Sequence, residues 1–132
     1  MLYRETGLEI RLVKGTPSRA TMHVLLVHGL TGHLEGTWTS LTAAGPVFWP
    51  DWIAEDLPGA AVWTLGYPAP RTNWFGHAPR LSELCDNLLA RLRAEDGLAR
   101  GTLHFVAHSL GGLVVKQTLL AAARDAASDP TA

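Results

Sequence analysis

The chain contains one cysteine, Cys85, which rules out an internal disulfide and fits a reducing compartment. No apolar run reaches the ~18 residues of a membrane span. Arg4 and Glu5 interrupt the N-terminus where a signal peptide keeps its apolar stretch. Lys and Arg are scattered, and the formal net charge is -1, so nothing favours nucleic acid as a partner. Gly29, Gly32 and Gly36 do not make a dinucleotide fingerprint, and no lysine follows them as in a phosphate loop. His104 and His108 stand four apart in an expected strand, where that spacing does not bring two metal ligands together as it does on a helix. These absences predict a soluble, cytoplasmic chain with no transmembrane segment, no cofactor and no metal. Peripheral contact with lipid is still open.

At 132 residues, 47% of them apolar, the chain is at most one domain and can build a core. Residues 8–13 alternate and read as an edge strand. Residues 22–27 are apolar apart from His23, as in a strand buried on both faces of a parallel sheet. A Gly- and Thr-rich loop is expected over 29–45, then a short helix over 48–57 with Pro50 in its first turn and Pro58-Gly59 as its stop. Residues 61–65 read as another buried strand, and 68–74 as a loop. From His77 the chain turns helical. Leu81, Leu84, Cys85, Leu88, Leu89 and Leu92 form one stripe, which places the Cys85 thiol in a core, and Gly97 is a plausible stop. A strand over 102–107 and an apolar helix from Leu110 to about Ala126 follow. The alternation predicts an α/β fold, a mostly parallel sheet flanked by helices.

The strongest signal is Ala107-His108-Ser109-Leu110-Gly111-Gly112. Strand, tight turn around a serine, then helix is the layout of a nucleophile elbow, which lifts the hydroxyl clear of the sheet. Strand and helix pass close there, so small residues are needed two before and two after the serine. Gly111 meets that need, and Ala107 replaces the usual glycine with a methyl group. The competing reading of Ser109 as a helix N-cap does not account for the strand before it.

Acyl transfer needs a nucleophile, a base, a group that orients the base, and donors for the oxyanion. Ser109 is the nucleophile. The Leu110 backbone N–H is one expected donor, and the Leu30 N–H is the second, because Gly29 lets the loop after the second strand bend close. Gly29, His108 and Gly111 support the turn. In hydrolases built on such an elbow the chain order is Ser, then Asp or Glu, then His. Here all six histidines lie at or before His108, and the only acids after Ser109 are Asp125 and Asp129. His28 reads as a hydrogen-bonded structural residue, and His33 as the one upstream histidine close to the site. Residues 1–132 therefore hold the nucleophile half of a site, and little turnover is expected of them alone. The strand before Ser109 is expected in mid-sheet of a complete fold, because an apolar edge there would be unpaired. The chain is expected to be an incomplete hydrolase domain, or one that gains its missing half from another chain or has lost catalysis.

Val27-His28-Gly29-Leu30-Thr31-Gly32-His33 with Thr37-Trp38 resembles the oxyanion-loop motif of lipase-like α/β-hydrolases, notably serine-active-site-containing proteins and GPI inositol-deacylase relatives. Related domains stand at the N-terminus of some NACHT and NB-ARC proteins. Trp49-Pro50-Asp51-Trp52, Asp56-Leu57-Pro58, Leu65-Gly66-Tyr67 and the run from Phe105 to Gln117 continue the likeness in order. Ala107 recurs in this branch. The resemblance implies a serine esterase or lipase-like enzyme acting on an ester or lipid substrate, with its acid and histidine beyond residue 132. The alternative is a non-catalytic interaction or sensor domain of a larger signalling or defence protein. Of the five tryptophans, Trp52 and Trp63 read as core or cover, while Trp38 and Trp74 fall in loops on the presumed active face.

Overall fold

In a computed structural model, which describes residues 7–29, 32–68 and 79–129, the chain is an α/β fold built on one main sheet. Its strands are β1 (Glu9–Lys14), β2 (Met22–Val27), β5 (Ala60–Gly66) and β6 (Thr102–Ala107), in the spatial order β1-β5-β2-β6. β5, β2 and β6 run parallel, and β1 pairs antiparallel with β5 at one margin. The two inner strands are the two continuous apolar runs. Every residue of β5 is buried, as is all of β2 after Met22. Strands covered on both faces need that composition, whereas β1, with one edge in water, alternates polar and apolar residues from Glu9 to Leu12 and then breaks register.

Side chains alternate across β2 and divide the core in two. Leu25 and Val27 join Ala61, Trp63 and Leu65 against α2 (Pro79–Ala94) and α3 (Leu110–Ser128), where Cys85, Leu88, Val114 and Val115 meet them. Val24 and Leu26 join Val62, Trp38 and Ala54 on the other face, beside the short helix α1 (Pro50–Asp56). Leu25, Leu26, Leu65 and Leu88 are fully excluded from water. Each such leucine contributes on the order of 1.5–3 kcal/mol by its burial. The α2 stripe is as expected, and its one thiol is buried. Burial pushes the Cys85 thiol up from its usual range.

Two expectations need correction. The loop over 29–45 contains a 3-10 turn, Gly36–Trp38, and the start of a hairpin, β3 (Thr39–Thr42) and β4 (Gly45–Phe48). Its strands are too short, and too rich in Thr, Ser and Gly, to show a period. Among the described residues β6 pairs only with β2 and forms the second margin of the sheet. Trp52 is neither core nor cover. It is 55% exposed on α1, while Trp63 is buried. The seven residues of α1 are too few for periodicity to show which face turns inward. Among the described residues, no helix is long and apolar enough to cross a membrane.

Candidate active site

Val27, Leu65 and Ala107 stand side by side in the parallel register, so β5, β2 and β6 end at one level. The segments leaving them, Gly66-Tyr67, His28-Gly29 and His108-Ser109, therefore share one rim. Open α/β sheets place their sites at this carboxyl end.

Ser109 has φ 54° and ψ -122°, and among the described residues it is the only non-glycine with positive φ. A Cβ is disfavoured there, at a cost of order 1–3 kcal/mol. The strain is what turns β6 sharply into α3. The serine stands at the N-cap position but makes no side-chain cap hydrogen bond, so capping does not explain it. Its side chain is exposed, outside both core clusters. The His108 N–H donates to the Val27 carbonyl at 3.0 Å, tying the turn to the end of β2. The Gly111 N–H donates to the His108 carbonyl, and the Gly112 N–H to the Ser109 carbonyl. Among the described residues no acceptor takes the Leu110 N–H, which the first turn of a helix leaves without an intrahelical partner.

Two glycines make the turn possible. A Cβ on Gly111 would collide with the carbonyl oxygens of Val27 and His28. A Cβ on Gly29 would stand 2.9 Å from the Ser109 Cβ and 2.9 Å from the His108 carbonyl oxygen. The loop after β2 thus passes directly beside the serine, as its glycine requires. Ala107 is exposed, so the methyl that replaces the usual glycine is accommodated. Leu30, the second expected oxyanion donor, lies outside the described residues, as do His77 and Trp74.

His28 is the structural residue it was expected to be, and its partners fix its tautomer. Nδ1–H donates to the Gly29 carbonyl at 2.8 Å, and Nε2 accepts the Tyr67 N–H at 3.2 Å. The Tyr67 hydroxyl donates to the His28 carbonyl at 2.6 Å, and the two rings stack at 4.2 Å. Burial holds the His28 imidazole below its ordinary pKa and raises the Tyr67 hydroxyl to about 12, so both are neutral near pH 7. This clamp between β2 and β5 sets where Gly29 leaves the sheet. Tyr67 escaped the sequence reading; the signal was an aromatic directly after the glycine that ends a buried strand. His23 is likewise structural: its Nε2–H donates to the Arg100 carbonyl and its Nδ1 accepts the Trp63 indole N–H.

His33 is exposed, and its Nδ1 accepts the Glu35 N–H at 3.2 Å, bracing the 3-10 turn. It lines a cleft of about 270 Å³ with Glu9, His28, Gly32, Tyr67 and Pro68, and Ser109 does not line that cleft. A cavity of larger volume, about 430 Å³, lined by Lys14, Thr16, Glu55 and Ala60, lies at the opposite end of β5. Trp38 is buried in the core with its ring edge-on to Trp49, not open on the presumed active face. Among the described residues the Ser109 hydroxyl has no histidine or carboxylate partner.

No family model matches the chain. Protein SERAC1 of Mus musculus is 30% identical over 119 residues, which are 76% of this chain. Protein SERAC1 of Danio rerio is 31% identical over 122 residues, 77% of this chain. The chain spans only 18% of the length of each of these curated relatives. Among solved structures, the chain is similar to the NocB thioesterase domain, crystallised as a covalent complex with a fluorophosphonate nocardicin G analog. The TM-score is 0.49 at 20% identity, over 92% of this chain and 44% of that one.

Proposed function

We propose that the chain carries the nucleophile half of a serine hydrolase of the α/β-hydrolase type, acting on a carboxylic ester. The observation that carries this reading is the backbone of Ser109, strained, exposed and set between a parallel strand and a helix. Folding alone gives no reason for a side chain at that φ. The hydroxyl oxygen would attack the ester carbonyl carbon and give its proton to a base. The oxygen of the tetrahedral intermediate would take the Leu110 N–H, with the Leu30 N–H as second donor. Loss of one such donor costs about 10²–10³ in rate in enzymes of this kind. The base and its orienting acid are assigned to polypeptide other than residues 1–132.

A second reading rests on the Ser109 hydroxyl having no histidine or carboxylate partner among the described residues: a hydrolase-like domain that binds without catalysis. A fluorophosphonate probe, applied to the chain joined to the polypeptide that supplies its base, separates the two. The hydrolase reading expects labelling of the wild type and none of Ser109→Ala. Equal labelling of both removes Ser109 as nucleophile, and no labelling of either favours the binding domain.

A further inference from the structure

Residues 36–50 contain no Asp, Glu, Lys or Arg. They form the 3-10 turn and the β3–β4 hairpin, which packs mainly on itself and stands out from the body. The register pairs Leu41 with Pro46 and Thr39 with Phe48, so Leu41, Pro46 and Phe48 share one face. That face is anchored at its root, where Phe48 packs against the core beside Trp49 and Ile53. Further out it has nothing beneath it: Leu41 is 88% exposed. Ala43 and Ala44 make the exposed tip. Trp52 adds an exposed ring on α1, close to the root in sequence. Aliphatic groups at the tip and tryptophan at the root match the depth order of a bilayer, where indole rings sit at headgroup level.

Charge narrows the kind of surface. Between Arg19 and Arg71 there is no lysine or arginine, and although Glu35 is paired with Arg11 of β1, Asp51, Glu55 and Asp56 are exposed on α1. An anionic membrane would repel this part of the chain, and a zwitterionic one presents choline cations to it.

We propose that the β3–β4 hairpin is a membrane-docking element that inserts Leu41 and its neighbours into a neutral, phosphatidylcholine-type surface. The docking is independent of Ser109 and of the hydrolase reading. It is tested by co-sedimentation of the full chain with phosphatidylcholine vesicles, using wild type, Leu41→Asp and Leu41→Ile. Wild type and Leu41→Ile should partition alike, and Leu41→Asp should lose about tenfold or more in partition coefficient. Exchanging part of the lipid for phosphatidylglycerol should weaken wild-type binding. Leu41 is almost wholly in water, so thermal melts of the three proteins should coincide; a shifted Leu41→Asp melt would leave Leu41→Ile and the lipid series to decide. Absence of vesicle binding, equal binding of a folded Leu41→Asp protein, or stronger binding to the anionic vesicles overturns the proposal. So does loss of self-association, rather than of lipid binding, in Leu41→Asp, which would make the hairpin a contact between copies.

Discussion

The two margins of the main sheet are built on opposite terms. β1 carries Glu9, Arg11 and Lys14, breaks its register between Leu12 and Lys14, and ties outward through Arg11 to Glu9 and Glu35. Charge and irregularity of this kind stop another strand from adding to an edge. β6 has neither: Thr102-Leu103-His104-Phe105-Val106-Ala107 has no formal charge, no proline and no break in register. Beyond it, α3 leaves Leu113, Leu119 and Leu120 in water. The guarded margin lies across the sheet from Ser109, and the unguarded one leads straight into it. A strand that must deliver a residue to a fixed point has little freedom in where it sits. A strand that only closes the sheet can be decorated.

Substitutions can break or sharpen that contrast, and the largest effect is expected beside the elbow. Gly111→Ala should lower stability by about 2–3 kcal/mol in urea unfolding, because the new methyl meets carbonyl oxygens that cannot retreat. Gly112→Ala, with open space around it, should be neutral or slightly stabilising through its better helix propensity. Equal effects from the two would mean that α3 is not held tightly against the end of β2.

Between the margins, Tyr67→Phe removes the donor to the His28 carbonyl and should cost about 1 kcal/mol. The clamp also has a pH signature. The folded pKa of His28 is depressed, so its contribution is complete above the unfolded value of 6.5 and is lost as pH falls through it toward the folded value. The folded pKa of Tyr67 is raised, so its contribution is complete below 10.0 and is lost as pH rises toward about 12. Urea midpoints measured across pH should fall at both ends, and Tyr67→Phe should remove the alkaline fall due to this residue.

The smallest effects on stability belong to the edges themselves. His104→Lys places a charge on exposed β6 and should reduce concentration-dependent light scattering while leaving the melting temperature unchanged. Arg11→Ala, on the guarded side, should leave the melting temperature unchanged and increase scattering, if its charge is what guards β1. Reversal of the two scattering results would refute the assignment of which edge is protected.

The alternation of elements and the Ser109 turn were legible because each rests on a local pattern. The buried strands are apolar runs, α2 has its stripe, and Gly111 stands two residues after the serine. What escaped depends on contacts distant in sequence. The Tyr67–His28 clamp spans 39 positions, and nothing near either residue announces the other. Trp52 could not be placed because α1 is too short for a period.

The left-handed twist at position 109 has a consequence for how this polypeptide trades durability against reactivity. Glycine would adopt that twist with no steric penalty, so Ser109→Gly should make the protein harder to unfold. A sequence shaped by folding alone would have no hydroxyl here. The molecule is weakest, by its own conformational preference, at the atom through which it would act.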